Sequence, residues 1–186
     1  MKNSFNQRKK DILLKSDKSS IGGWDEKIVE LCEKINKLDN YYTTSSCAGR
    51  AVVMEDVEKK GPGLFLYVSH DKIILEDLKK ELGKISSEDV VKFKQEPMIL
   101  YVACRAIEDA KSLLDKVRDL GWKKVGIIAL GKNIVVEING SEKIEFPIMN
   151  KGSLLVKEEF LELIVKKSND NLERNWSKIQ ELSKNI

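Results

Sequence analysis

Residues 41–50 of this chain concentrate side chains that can do chemistry, with the sequence Tyr-Tyr-Thr-Thr-Ser-Ser-Cys-Ala-Gly-Arg. Two aromatics, four hydroxyls, a thiol and an arginine form a set too polar for a core strand. Gly49 has no Cβ, so the chain can turn there or a ligand can approach closely. The planar guanidinium of Arg50 can pair bidentately with a carboxylate or a phosphate. Taken alone, the segment favours a strand that ends in a hydroxyl-rich turn over a binding site.

Three further residues have side chains suited to catalysis or binding and fall at the ends of predicted strands. His70 is the single histidine of the chain, and histidine is the side chain that ordinarily titrates near neutral pH. Arg105 can clamp a carboxylate or phosphate, and Glu96 can read a base edge or a ribose hydroxyl. On the residues alone, a structural histidine and an ordinary arginine ion pair remain the more common roles.

The cysteines raise a second kind of chemistry. Cys32, Cys47 and Cys104 are odd in number and widely spaced, which favours reduced thiols over disulfides. With one histidine and no paired-cysteine spacing, no metal site is predicted. Cys47 could act as a nucleophile if a nearby cation lowered its pKa, but small buried cysteines are common, so we favour a packing or lining role.

Composition describes a soluble globular protein, with 41% hydrophobic and 34% charged residues in 186. That length predicts a single domain, residues 1–186, with a core that needs no disulfide support. No run approaches the roughly eighteen apolar residues of a membrane span. The first residues also lack the apolar stretch of a signal peptide. We therefore expect a cytoplasmic protein with no membrane partner.

The excess positive charge lies at the amino terminus. Net charge is only +3, yet residues 1–20 contain six Lys or Arg against two Asp. This segment is predicted to be a basic arm, in which Arg8, Lys9 and Lys10 could contact phosphate. A merely solvated segment is the more common alternative.

Hydrophobic periodicity predicts four helices and a larger number of short strands. The predicted helices are Asp25–Leu38, one capped by Asp71 and running to Leu82, Ile107–Leu120, and one beginning near Lys157. The predicted strands are Tyr41–Ser46, Ala51–Glu55, Leu64–Ser69, Val90–Gln95, Met98–Ala103, Val125–Leu130, Ile134–Ile138 and Lys143–Ile148.

Glycine and proline signals predict how these strands are connected. Gly61-Pro62-Gly63 and Pro97 interrupt the strand series. Gly131–Asn133 and Asn139-Gly140 predict hairpins. Strand pairs followed by helices occur twice, which suggests two related halves. The fold class predicted is α+β, with a mainly antiparallel or mixed sheet and packed helices, and not the Rossmann-type sheet.

The segment from Tyr41 to Arg50 resembles the signature of the tRNA wybutosine-synthesising protein 3 family, and weaker matches follow in the family's order along nearly the whole chain. Ala48, Tyr101 and Asn171 stand where the family pattern commonly has Ser, His and Lys. The matching positions are Phe5, Arg8-Lys9, Asp17-x-Ser19, Gly22-x-x-Asp25, Ser69-His70, Glu96-Pro97, Cys104-Arg105, Gly126-Ile127, Asn169 and Asn175.

The resemblance implies a methyltransferase that uses S-adenosylmethionine. Its implied substrate is a 4-demethylwyosine derivative beside the anticodon of phenylalanine tRNA, methylated at the N4 ring nitrogen. Such chemistry depends mainly on holding methyl and acceptor in line, with His70 or Glu96 as a base if one is needed. The expected cofactor- or substrate-binding residues are Tyr42, Ser45, Ser46, Cys47, Gly49, Arg50 and Arg105.

We also expect Ser45, Ser46, Arg50, His70 and Arg105 to share one pocket. Tyr41 and Tyr42 are the candidate stacking platforms, with packing under the sheet as the alternative role for either. Two other functional classes remain open. One is a noncatalytic tRNA-binding module. The other is a thiol-dependent enzyme that uses Cys47 and His70.

Overall fold

The structure is a computed structural model that describes residues 2–14, 25–57, 63–131 and 133–186. Lys15, Lys18, the matches at 17–24, Gly61-Pro62 and Lys132 lie outside these residues. The helices are α1 (Lys2–Leu13), α2 (Glu26–Lys37), α3 (Leu75–Leu82), α4 (Ile107–Asp119) and α5 (Glu158–Asn185). The strands are β1 (Tyr41–Cys47), β2 (Arg50–Glu55), β3 (Phe65–Ser69), β4 (Val91–Glu96), β5 (Ile99–Cys104), β6 (Lys124–Leu130), β7 (Ile134–Asn139), β8 (Ile144–Asn150) and β9 (Ser153–Leu154).

These elements form two compact units with separate sheets. The first unit comprises residues 1–48, 98–141 and 176–186, and the second comprises 49–97 and 142–175. Both sheets are antiparallel, so the predicted α+β class without a Rossmann-type sheet is confirmed. The single domain stays a prediction. No helix among the described residues combines the length and apolarity that a membrane crossing requires.

The first unit is built on a four-stranded sheet with strand order β1-β5-β7-β6, which we call the first sheet. Helix α2 begins where the Asp25 carboxylate accepts a hydrogen bond from the Lys27 N–H at 3.2 Å. Its apolar residues recur at helical spacing and pack on one face of the sheet, together with α4 and the last turns of α5. This face, which we call the core face, bears Leu100, Val102 and Val136, and Ile28 and Leu31 of α2 belong to the same core; all five are fully buried.

The opposite face of the first sheet, which we call the outer face, receives α1. Because strand side chains alternate between faces, Tyr42 and its partner Ala103 point away from the core. Phe5 of α1 covers them, with its ring centroid 5.1 Å from that of Tyr42. The predicted basic arm is therefore helical over residues 2–13 and packed on the first sheet.

The second unit is built on a five-stranded sheet with order β3-β2-β4-β8-β9, the second sheet. One face packs against α3 and the first part of α5 through Val53, Phe93, Leu78 and Leu161. The opposite face bears charged residues from β2, β4 and β8, because Lys92, Lys94 and Glu96 alternate with buried Val91, Phe93 and Gln95.

The predicted start of the second helix is wrong. Asp71 does not cap α3, which begins at Leu75 after Ile74. Asn169 explains the delay, because its side-chain amide binds both backbone groups of Ile73. Its Oδ1 accepts from Ile73 N–H at 2.7 Å and its Nδ2 donates to Ile73 O at 2.9 Å. These bonds hold the chain in a non-helical conformation.

One of the two predicted hairpins is also wrong. The segment 131–133 joins the paired strands β6 and β7 as expected. Asn139-Gly140 instead ends β7, whose partners are β5 and β6, whereas β8 pairs with β4 in the second sheet. The Gly140 N–H donates to Met98 O at 2.8 Å, so this turn is hydrogen-bonded to the residue that precedes β5.

Candidate functional site

The segment singled out from the sequence forms β1 and the start of β2. Strand β1 pairs antiparallel with β5, from Tyr41 opposite Cys104 to Cys47 opposite Ile99, with a register shift between Thr43 and Ser45. A strand that holds this many hydroxyls at a sheet edge fits the polar composition of the segment.

The expected convergence of Ser45 and Ser46 is wrong, because successive side chains of a strand point to opposite faces. Ser46 lies opposite Leu100 on the core face and shares a hydrogen bond with the Cys32 thiol. Ser45 lies opposite Tyr101 on the outer face and is exposed. Only one of the two hydroxyls can therefore meet a ligand on a given side of this sheet.

Tyr42 is also not the predicted stacking platform. Its side chain is 2% exposed, because the Phe5 ring packs directly on it. The phenyl ring of Phe5 thus occupies the position that a base would need.

Arg105 anchors α1 rather than joining the two serines. Its guanidinium donates to Asn6 Oδ1 at 2.8 Å, to Asp39 O at 2.7 Å and to Asn40 Oδ1 at 3.2 Å, and lies 4.7 Å from the Phe5 ring centroid. Arg105 is five residues from Leu100, the partner of Ser46, which corresponds to about 16 Å along the strand. A pocket that includes both Arg105 and Ser46 is therefore wrong.

The three cations predicted to bind RNA all belong to α1. Lys9 Nζ donates to Leu38 O at 2.5 Å, and burial lowers the pKa of Lys9, opposed by the charge of Asp39. Lys10 is exposed and Arg8 is half-buried. Phosphate binding by these three residues stays a prediction, and all three lie on a packed helix.

In the second unit, Arg50 lies directly opposite Glu96 across β2 and β4. Arg50 Nε donates to Glu96 Oε2 at 2.7 Å, and the other carboxylate oxygen lies 3.2 Å from Lys94 Nζ. The Arg50 guanidinium also lies 5.1 Å from the ring centroid of Phe65, whose side chain is 50% exposed. We call Arg50, Phe65, Lys94 and Glu96 the Arg50 cluster.

The Arg50 cluster argues against Glu96 as a general base. Burial alone would raise the pKa of Glu96, but hydrogen bonds and charge from Arg50 and Lys94 outweigh it and hold that pKa below its ordinary value. A carboxylate with a lowered pKa is a weaker proton acceptor at neutral pH. Glu96 is instead suited to orienting the Arg50 guanidinium.

The Arg50 cluster continues into a line of alternating charges on the same face of the second sheet. Glu145 lies within 3.1–3.7 Å of Lys143, Lys92 and Lys94, and Lys92 also pairs with Asp56 at 2.6 Å. Because acids and bases alternate, this face has little net charge, and its specific feature is the guanidinium beside an exposed aromatic ring.

The remaining predicted residues divide between the units. Gly49 belongs to the second unit and is buried with φ 101°, a left-handed conformation that favours glycine. His70 also belongs to the second unit, directly after β3. Cys47 belongs to the first unit and is half-buried, and the cysteines are reduced thiols. Burial raises the pKa of Cys32 to about 11 and that of Cys104 to about 12, which makes both unreactive.

Sequence reasoning missed two residues on the outer face of the first sheet. Tyr101 and Glu137 lie opposite each other on β5 and β7, beside Ser45. The available signal was Glu137 itself, a single carboxylate within the otherwise apolar run Ile134-Val-Val-Glu-Ile. A charge at an alternating position of a central strand marks a face that is open to solvent or ligand.

Comparison with solved structures identifies the fold. The PH1069 protein from Pyrococcus horikoshii superposes with a TM-score of 0.85 at 30% identity, over 98% of this chain and 96% of that one. A hypothetical protein from Aeropyrum pernix shares the fold at TM-score 0.73 and 24% identity, over 86% of this chain and 95% of that one.

Comparison with known sequences identifies the class. A mouse relative named tRNA wybutosine-synthesizing protein 3 homolog is 35% identical over 94% of this chain and 70% of its own length. An Archaeoglobus fulgidus relative is 37% identical over 85% of this chain and 80% of its own length, and is named tRNA(Phe) 7-((3-amino-3-carboxypropyl)-4-demethylwyosine(37)-N(4))-methyltransferase.

The two-unit α+β fold and these relatives define a class of methyltransferase without a Rossmann-type sheet. Residues 7–186 match the model of the family described as Methyltransferase TYW3, and this chain belongs to that family.

Proposed function

We propose that this protein transfers a methyl group from S-adenosylmethionine to N4 of a 4-demethylwyosine derivative next to the anticodon of phenylalanine tRNA. The observation that carries the proposal is the 37% identity with the A. fulgidus methyltransferase across 80% of that enzyme. Membership of the methyltransferase family over residues 7–186 supports the same reaction type.

The donor set of the Arg50 cluster fits the methyl donor. Glu96 binds Nε of Arg50, so with respect to the described residues the two terminal nitrogens of the guanidinium are available to a carboxylate. The exposed face of Phe65 offers an aromatic surface for a nucleobase. S-adenosylmethionine has a carboxylate and an adenine, and when bound it supplies an activated methyl group.

Four sets of residues have distinct tasks in the proposed reaction. Arg50 holds the carboxylate end of the donor, and Glu96 fixes the orientation of the guanidinium. His70 accepts the proton that leaves the acceptor nitrogen, because a neutral imidazole has a nitrogen that can accept a proton. Arg8, Lys9 and Lys10 on α1 contact tRNA phosphates.

The substrate base lies in a single-stranded loop in this proposal, so it can leave the stack at modest cost. Single-stranded loops are where proteins read RNA bases directly, by stacking and hydrogen bonding. Catalysis then consists largely of holding the acceptor nitrogen in line with the methyl group.

The test is transfer of labelled methyl from S-adenosylmethionine to phenylalanine tRNA that contains the demethylated precursor. Unmodified phenylalanine tRNA serves as the control, because it lacks the tricyclic acceptor. The proposal predicts label only in the precursor-containing tRNA. A folded protein that binds this tRNA and transfers no label would instead be the noncatalytic binding module.

A further inference from the structure

A row of four residues crosses the outer face of the first sheet. Ser45 on β1 lies opposite Tyr101 on β5, Tyr101 lies opposite Glu137 on β7, and Glu137 lies opposite Gly126 on β6. Directly opposed side chains of neighbouring strands have Cβ atoms about 5 Å apart. A hydroxyl, a phenol and a carboxylate therefore follow one another across the sheet, and the row ends at a residue without a side chain.

The polar groups of this row are already oriented. Tyr101 shares a hydrogen bond with Glu137, which is the main reason that the pKa of Tyr101 is raised, with burial and the charge of Glu137 adding to it. A carboxylate has about four acceptor positions, so Glu137 can bind the phenol and still accept from a ligand. Ser45 is exposed and can donate or accept.

The Gly126 end of the row leaves space for a ligand. A Cβ built on Gly126 would meet no atom within 4 Å. Glycine in a strand weakens the sheet, and it often marks a place where a ligand approaches closely. Two residues further along β6, at a register irregularity, Ile128 is 55% exposed.

Helix α1 packs on the same face as the row. The pair Tyr42–Ala103, on which Phe5 packs, is two residues from Tyr101 along β5, about 7 Å away. The basic helix therefore lies on the same side of the first sheet as the row, although Lys9 extends to Leu38 O, before β1, and not toward Ser45. A sheet face that combines an aromatic ring, base-edge acceptors and a basic helix matches the chemistry of single-stranded RNA, which offers π-faces, N–H donors and phosphates.

We propose that the row formed by Ser45, Tyr101, Glu137 and Gly126 binds an unpaired nucleotide of the substrate tRNA. The base stacks on Tyr101, its N–H groups donate to Glu137, and the cations of α1 contact the adjoining phosphates. This proposal rests on the proposed function, because it takes tRNA as the substrate, and it adds a binding site formed within the first unit.

The sharpest variant is Gly126→Val, which fills the open end of the row without removing any contact. Valine suits a strand and has room here, so the thermal midpoint should stay level or rise. Its affinity for the anticodon stem-loop RNA of phenylalanine tRNA, measured by fluorescence anisotropy, should fall at least about five-fold. Tyr101→Ala removes the stacking contact, and its affinity for the same RNA should fall by a similar factor. Tyr101→Phe keeps the ring and should weaken binding less.

The matched control is Gly131→Val, which adds the same side chain outside the row, where a Cβ also meets no atom within 4 Å. It should leave affinity unchanged, and a duplex RNA without a loop should bind the four variants and the unaltered protein equally. Unchanged loop affinity in both Gly126→Val and Tyr101→Ala would overturn the proposal. Methyl transfer by the unaltered protein is measured separately, so a failed base-binding site is distinguishable from a failed methyltransferase.

Discussion

The substitution Arg50→Lys separates the charge of Arg50 from its fork-shaped geometry. In the structure, one nitrogen of the guanidinium is used by Glu96 at 2.7 Å, and the terminal nitrogens are the proposed contact with the donor carboxylate. Lysine keeps the positive charge and can still pair with Glu96. It cannot bind Glu96 and a second carboxylate with a rigid planar fork.

The magnitudes of the two effects of Arg50→Lys differ. Loss of one charge-assisted hydrogen bond to a ligand costs about 1.5 kcal/mol, which corresponds to roughly ten-fold weaker binding. The side chains of Arg50 and Glu96 are 25% and 30% exposed, so solvent screens their pairing. With the cation–π contact to Phe65 weakened as well, we expect a loss of about 1 kcal/mol in unfolding free energy. For a chain of this size that is a fall of about 2–4 °C in thermal midpoint.

Isothermal titration calorimetry with S-adenosylmethionine and its demethylated product measures this effect directly. Lys143→Met is the matched control, because Lys143 lies on the same charged face outside the Arg50 cluster, where its 57% exposed side chain pairs with Glu145 at 3.1 Å. The control should bind the donor like the unaltered protein. Equal donor affinity in Arg50→Lys, with the fold intact, would refute the assignment of the donor carboxylate to Arg50.

Three other predictions concern stability, the position of α1 and the thiol. The lowered pKa of Glu96 means that this residue stabilises the folded state above its ordinary pKa of 4.5, and that this contribution is lost as pH falls through its folded pKa; Glu96→Gln should therefore destabilise the protein progressively less as pH is lowered from 7, and a loss that does not change with pH would contradict the sign. Arg105→Ala should raise hydrogen exchange in α1 without changing donor affinity, whereas unaltered exchange would show that α1 is held by its apolar contacts alone. Cys47→Ser should retain methyl transfer, and loss of methyl transfer in a folded variant would support the thiol-dependent alternative.

Periodicity and turn chemistry predicted most of the fold. The apolar spacing in α2 and α4 and the alternation in β4 and β5 are local properties, so they can be read from neighbouring residues. The errors arose where a distant residue decides the local conformation. Asn169 holds Ile73 out of the helix from 96 positions away, and the pairing of β8 with β4 replaces the hairpin expected at Asn139-Gly140.

The candidate site was predicted as a set of residue types but not as an arrangement. Tyr41 to Arg50 stood out because hydroxyls and a guanidinium are rare in a strand, yet strand alternation separates Ser45 from Ser46. Arg105 had the chemistry of a ligand clamp and instead anchors α1, which only the contacts with Asn6 and Phe5 reveal. Glu137 was overlooked because its role depends on cross-strand neighbours that no sequence window contains.

The most direct test of the central claim is mass analysis of the nucleoside next to the anticodon after reaction. Phenylalanine tRNA that bears the 4-demethylwyosine derivative is incubated with the protein and S-adenosylmethionine, digested to nucleosides and separated. The account predicts that this nucleoside gains the mass of one methyl group, with fragmentation placing it on N4. A nucleoside that keeps its original mass, with donor and tRNA both shown to bind, would contradict it.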